Sequence, residues 1–229
     1  QYLIILEKDK TKSQIWSQVL FIQAEQNDFE EMLQTSKEAL EYFPSDPLFY
    51  YFNGISNKWA KNYNIAITSL KNGVDFVIEN QNLLLEFYSS LGDAYHATKQ
   101  YKLSDEYYEK ALDIDPDNII VLNNYAYYLS LRKQNLEKAK KMSFRCNQIE
   151  KDNGTYQDTY AWVLYQLKDY TKAKEWLTKA LLNGGDKSAV IIEHYGDVLY
   201  KLNEKEEALN QWKRAKKIGG ASEFIDKKI

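Results

Sequence analysis

Hydrophobic and polar residues follow the period of amphipathic helices along this chain, and the pattern repeats about every 34 residues. Each copy contains two helical segments joined by a short polar turn. A central position of the first segment is occupied by Leu20, Gly54, Gly92, Ala126, Ala161 and Gly196, and a late position of the second by Ala39, Gly73, Ala111, Cys146, Ala180 and Ala215. Because small residues let helix backbones approach closely, the pattern predicts six packed helix pairs.

Polar residues and prolines mark where these helices end. The turns within the pairs are predicted at Asn27-Asp28, Lys61-Asn62, Lys99-Gln100, Gln134-Asn135, Lys168-Asp169 and Asn203-Glu204. Pro44, Pro47 and Pro116 lie between copies, which leaves the helix interiors free of proline. The second and third copies are 38 residues apart, so extra residues near 79–84 should lengthen a second helix or its loop.

The third copy carries a specific motif, with Tyr88, Leu91, Gly92, Tyr95, Ser104, Tyr108, Ala111 and Pro116 at fixed offsets. It resembles the tetratricopeptide repeat family, whose pattern is Trp-x-x-Leu-Gly-x-x-Tyr followed by Ala, Phe, Ala and Pro. The last three copies lack the closing proline and have Lys151, Gly185 and Gly220 there. The resemblance implies an all-α fold, a right-handed α-α superhelix (solenoid) of stacked helix-turn-helix hairpins.

The repeat registers divide the chain into six copies with a partial helix at each end. The copies span residues 13–46, 47–84, 85–118, 119–153, 154–188 and 189–222. Residues 1–12 are predicted to end a truncated repeat helix, and residues 223–229 to begin a truncated capping helix. Apolar residues such as Tyr2, Ile4, Ile5 and Ile225 would leave surface there for a homodimer.

Composition narrows the possible functions. The net charge is −3, and the basic residues near 213–217 are balanced by neighbouring glutamates, which disfavours nucleic-acid binding. The sequence contains no apolar run long enough to span a membrane. Cys146 is the only cysteine and is predicted to be a packed, structural thiol.

The abundance of Lys, Asn, Tyr and Ile resembles bacterial proteins of AT-rich genomes. Localisation is not readable from these residues, although the cell envelope is favoured over the cytoplasm.

The sequence provides no group of residues for catalysis or for a cofactor. His96 and His194, the only histidines, lie three repeats apart, and no His, Cys or carboxylate cluster has the spacing of a metal site. Glu193 and Asp197 could share a helical face, but such acid pairs are common on solvated helices. We therefore predict a non-catalytic protein without metal or cofactor.

The resemblance implies that the first helices line a concave groove, with ligand contacts at the second, fifth, ninth, twelfth and thirteenth repeat positions. The groove residues predicted in this way are aromatic or acidic: Tyr51, Trp59, Asp93, Tyr127, Asp158, Trp162, Tyr165, Glu193 and Asp197. Aromatic side chains of this kind are typical of interaction hot spots. The acidic residues of the groove would repel the terminal carboxylate of a peptide, so a groove that clamps such a carboxylate is disfavoured.

The predicted function is therefore a protein-interaction scaffold whose groove binds a peptide or partner segment with basic and apolar residues. The alternative is a glycan or another small ligand on the same groove, because sugar rings stack on exposed Trp and Tyr.

Overall fold

The computed structural model describes Leu6 and residues 9–229, and these residues form helices and turns without a β-strand. The helices are α1 (Ser13–Glu25), α2 (Phe29–Tyr42), α3 (Pro47–Trp59), α4 (Tyr63–Val74), α5 (Gln81–Ala97), α6 (Tyr101–Ile114), α7 (Ile119–Arg132), α8 (Leu136–Ile149), α9 (Gly154–Gln166), α10 (Tyr170–Leu182), α11 (Ala189–Lys201), α12 (Lys205–Ile218) and α13 (Ile225–Lys228). A short 3-10 helix, Gly185–Lys187, precedes α11.

The helices belong to two compact units, Gln1–Pro116 and Asp117–Ile229. Within each unit, each helix packs on its neighbours in sequence, and the first helices of successive copies also touch. In unit 1 these first-helix contacts join α1 to α3 and α3 to α5; in unit 2 they join α7 to α9 and α9 to α11. We call the surface formed by these helices the first-helix face of each unit.

The turn inside each helix pair has the same backbone geometry. One residue in each is left-handed: Asn27, Lys61, Lys99, Lys133, Lys168 and Asn203. In the first, the Asp28 amide donates to the Gln23 carbonyl at 2.8 Å, which closes the helix end. The fourth copy has one residue more in this turn than the other copies, and it has a second left-handed residue there, Asn135 (φ 46°). The turns predicted from the sequence are thus confirmed.

The small residues lie where the two helices of a pair come closest. A Cβ atom at Gly54 would lie 2.5 Å from Leu70 Cγ, and one at Gly196 would lie 2.6 Å from Trp212 Cδ1. The late small position is fully buried in the second helices, including Cys146. Burial raises the pKa of the Cys146 thiol to about 12, so it remains a protonated packing group at neutral pH.

The extra residues between the second and third copies change helix α5. Helix α4 ends at Val74, and α5 begins at Gln81, so it is 17 residues long. The Asn80 side chain caps it by accepting a hydrogen bond from the Leu83 amide at 3.0 Å. The insertion therefore lengthens the loop after α4, as expected, and also the following first helix, which was not expected.

The structure describes the C-terminal end of the chain and little of the N-terminal end. Most of the segment predicted as a truncated N-terminal helix, including Tyr2, Ile4 and Ile5, lies outside the described residues. At the other end, Ile225 is only 8% exposed and packs in a core cluster with Leu199 and Trp212. The expectation that Ile225 would be exposed apolar surface was wrong, because the short helix α13 folds back against α12.

Candidate functional site

An apolar cleft lies on the first-helix face of unit 1, between α1, α3 and α5. Its volume is about 710 Å³. Its apolar walls are Phe21, Leu48, Tyr51 and Leu83. Phe21 is 48% exposed and rests edge-on against Phe52, with ring centroids 5.2 Å apart. The cleft is thus large enough for a bulky side chain, and we call it the unit 1 cleft.

Two carboxylates, Asp46 and Glu86, stand at this cleft. Asp46 caps α3 through the Leu48 amide at 3.0 Å, and Glu86 accepts a hydrogen bond from the Tyr51 hydroxyl at 3.2 Å. Burial, together with the charge of Glu86, holds the pKa of Tyr51 far above its ordinary value of 10.0. Neither carboxylate forms an ion pair with the part of the chain that the structure describes. The cleft therefore joins an apolar wall to two negative charges.

The other two predicted residues of unit 1 lie outside the lining of the cleft. Trp59 is 61% exposed and stacks on Phe29, with ring centroids 4.2 Å apart. Asp93 accepts a hydrogen bond from Lys58 Nζ at 2.7 Å and another from the Tyr108 hydroxyl. The negative charge of Asp93 is therefore neutralised by Lys58 of the neighbouring helix α3.

An aromatic stack lies on the first-helix face of unit 2. The Trp162 ring is nearly parallel to those of Tyr165 and His194, with centroids 4.6 and 3.9 Å away. The His194 Nδ1 donates to Asp158 Oδ1 at 2.9 Å, and both side chains are less than 10% exposed. Since no acceptor within residues 9–229 reaches the buried Trp162 indole N–H, the stack retains one unused donor.

Two tyrosines of this face are electrostatically coupled to the acids. Burial raises the pKa of Tyr127 to about 12, and the charges of Asp158 and Glu193 add to the effect. Burial, with the charge of Asp197, also raises the pKa of Tyr165 to about 12. Both phenols therefore remain neutral hydrogen-bonding groups at physiological pH.

Glu193 and Asp197 are covered by the C-terminal segment. Lys228 Nζ lies 2.7 Å from a carboxylate oxygen of each, and the Ser222 amide donates to Glu193 at 2.7 Å. Asp197 also accepts from the Trp212 indole at 3.0 Å. Burial raises the pKa of Glu193, but the hydrogen bonds from Lys228 and Ser222 outweigh it, so the pKa lies below its ordinary 4.5.

The predicted site residues thus fall into two groups. The four acids Asp93, Asp158, Glu193 and Asp197 are each paired within their own unit, so a basic ligand would have to compete with an internal donor. The aromatic residues remain at least partly accessible. Leu48 and Glu86 were not predicted, although they occupy the second repeat position, which the resemblance gives as a ligand position.

Other kinds of site are not found in the part of the chain described. No group of three or more His, Cys, Asp or Glu residues among those residues could hold a metal ion. Nor does any described helix have the length and apolar character needed to cross a membrane.

Two family models, both described as tetratricopeptide repeat, match the chain. One covers residues 85–118 and 156–182, and the other covers residues 107–141. The chain is a tetratricopeptide repeat protein. The all-α repeat fold predicted from the sequence is confirmed, and proteins of this family are typically non-enzymatic scaffolds.

Similar proteins are found among curated sequences and solved structures. The type IV pilus assembly protein PilF of Pseudomonas aeruginosa is 30% identical over 119 residues, which cover 51% of this chain and 46% of that protein. The chain thus spans about half the length of this relative. A solved PilF structure has a TM-score of 0.64 at 24% identity and covers 76% of each chain.

Two further solved structures share the fold at lower identity. A tetratricopeptide repeat protein from Parabacteroides merdae has a TM-score of 0.73 at 15% identity, covering 99% of this chain and 88% of that one. YrrB, described as having an unusual peptide-binding site, has a TM-score of 0.60 at 18% identity, covering 81% and 93%. These similarities concern the fold alone.

Proposed function

We propose that this protein is a non-catalytic interaction scaffold that binds a segment of a partner protein on its first-helix faces. The observation that carries the proposal is the unit 1 cleft, where apolar walls lie beside two carboxylates that form no ion pair with the described residues. A bulky apolar side chain would fill the cleft, and a neighbouring lysine or arginine would reach Asp46 or Glu86. Basic and apolar chemistry was also the expectation from the sequence.

The aromatic stack of unit 2 supports the same function in a different way. Its unused donor, the Trp162 indole N–H, would suit a backbone carbonyl of an extended peptide. Tyr127 and Tyr165 offer neutral hydroxyls beside it. Because the acids of unit 2 are paired internally, we assign this surface to aromatic and backbone contacts, and the charge preference to the unit 1 cleft.

Relatives make a protein partner the favoured class of ligand. YrrB is described as peptide-binding, and PilF as an assembly protein of type IV pili. A role in assembling a multiprotein structure is accordingly part of the proposal for this chain. The glycan alternative is a separate outcome of the test.

The test presents the chain to a peptide array and to a glycan array in parallel. Peptides with Lys or Arg next to a bulky apolar residue should bind, and Phe21→Ser should weaken binding about tenfold by removing a wall of the cleft. Ile78→Ser is the matched control, because Ile78 is an 83% exposed apolar residue of the same unit outside the cleft. Binding to glycans alone, or equal binding by both variants, would overturn the proposal.

A further inference from the structure

A second cleft lies in unit 2 between the second helices α8 and α10. Its volume is about 680 Å³. The N-terminal turn of α9 and the loop before it close one side, at Gln157 and Lys151. None of its lining residues is among the predicted groove residues. We call it the second-helix cleft.

A buried carbonyl in this cleft has no donor among the residues that the structure describes. Asn147 lines the cleft and is 6% exposed, and its Oδ1 atom accepts no hydrogen bond from those residues. Its Nδ2 group donates to the Ser143 and Tyr156 carbonyls at 2.8 and 3.0 Å. These two bonds fix which way the amide points, because the opposite orientation would face Oδ1 towards two other acceptors.

Two neighbouring amides, those of Gln157 and Asn183, already have other partners. Gln157 is 2% exposed and donates through Nε2 to the Lys151 carbonyl at 2.7 Å. Its Oε1 accepts from Asn183 Nδ2 at 3.0 Å. Since Gln157 and Asn183 bond to each other or to the backbone, Asn147 Oδ1 receives no donor from them.

The walls of the cleft add apolar and positive character. Trp176 packs edge-on against Tyr160 at 4.8 Å, and Phe144 contacts the same ring at 5.4 Å. Lys179 Nζ lies 4.5 Å from the centre of the Trp176 ring. Lys151 and Lys179 form no ion pair within the described residues, and Asp152 is the one acid in the lining. The charged groups of the lining therefore favour an anion.

We propose that the second-helix cleft binds an acidic peptide segment of another protein. A backbone N–H of the peptide donates to Asn147 Oδ1, an Asp or Glu carboxylate pairs with Lys179 or Lys151, and an apolar side chain packs against Phe144 and Trp176. This inference does not rest on the proposed function of the first-helix faces. It concerns different side chains and the opposite ligand charge.

The five tryptophan indole N–H groups allow a direct test by NMR on the intact chain. The probe is an acetylated and amidated peptide with a Leu-Asp-Leu core, and Leu-Asn-Leu is its uncharged counterpart. The acidic peptide should shift the Trp176 indole signal and leave that of Trp59 unchanged. Affinity for the uncharged peptide should be at least fivefold lower.

Charge-reversal variants separate this site from general attraction. Lys179→Glu should weaken binding of the acidic peptide about tenfold, whereas Lys172→Glu should change it less than twofold. Lys172 lies on the same helix, outside the cleft, and gives the same change in net charge. Shifts at Trp162 instead of Trp176, no shift with millimolar peptide, or equal losses in the two variants would overturn the proposal. A retained helical circular dichroism spectrum shows that each variant is folded.

Discussion

At the scale of single residues, the structure assigns most carboxylates of the first helices to internal contacts. Lys58 and Asp93 are 35 residues apart, close to one repeat, and so could have been paired from the sequence. The contact of Lys228 with Glu193 and Asp197 has the same origin, since it also spans about one repeat. The repeat positions predicted which aromatic residues lie on the first-helix faces. They did not predict the lysine partners of the acids, although those partners lie about one repeat away.

The contact of Lys228 with Glu193 predicts a pH dependence. Since the pKa of Glu193 is lowered in the folded chain, its ionised form stabilises the fold above about pH 4.5. This contribution should disappear as the pH falls through the lowered value. In Lys228→Met the pKa of Glu193 should rise. The free energy of unfolding of the C-terminal region should fall by about 1–3 kcal/mol at pH 7.

NMR titration of the Glu193 carboxyl in both proteins measures this change. Lys227→Met provides the control, because Lys227 neighbours Lys228 but makes no contact with Glu193. An unchanged Glu193 pKa in Lys228→Met would show that the contact does not form in solution.

At the scale of helices, the repeated small residues correctly predicted the helix pairs, because two helix backbones that approach closely leave room only for small side chains. The insertion was harder to place. Helix α5 begins four residues before the predicted repeat boundary at residue 85, so Leu83 lies outside the 34-residue pattern. The repeat pattern describes average spacing and contains no information about where an extra helical turn will be added. Two predictions concern the contact between α11 and α12 and the added turn of α5.

The first concerns the contact between α11 and α12. In Gly196→Ala the new Cβ would lie 2.6 Å from Trp212 Nε1. Alanine favours a helix over glycine by about 1 kcal/mol, but overpacking costs about 1–3 kcal/mol. We expect net destabilisation in urea unfolding. Adding Trp212→Leu should cost less in the Gly196→Ala background than in the parent chain, and strictly additive effects would contradict the close contact.

The second concerns the added turn of α5. Asn80→Ala removes a helix cap and should cost about 1 kcal/mol of unfolding free energy. Asn118→Ala is a matched control, because Asn118 caps α7 in unit 2 through the Val121 amide at 3.1 Å. Both variants should lose similar stability by thermal unfolding. Only Asn80→Ala should weaken binding of a basic, apolar peptide, because fraying of α5 at Leu83 would open the unit 1 cleft. Equal binding by both variants would contradict this role.

At the scale of the whole molecule, the tetratricopeptide repeat fold followed from the sequence, while the ligand did not. The repeat boundaries and the homodimer stay predictions, and Ile225 no longer supports the latter because it is buried. The charge balance of −3 also conceals local differences. The unit 1 cleft carries two carboxylates, whereas the second-helix cleft carries two lysines and one aspartate. A single protein of this kind could hold two partners of opposite charge.

The central claim is that the unit 1 cleft recognises an apolar side chain beside a basic one. A charge exchange tests it most directly, with fluorescence anisotropy of a labelled peptide containing Arg next to Phe. Glu86→Arg should weaken binding about tenfold, or about 1.4 kcal/mol, and replacing Arg by Glu in the peptide should restore it. Glu41→Arg, on an exposed position of α2, controls for net charge. Equal affinity of Glu86→Arg and Glu41→Arg for the Arg peptide, without restoration by the Glu peptide, would contradict the account.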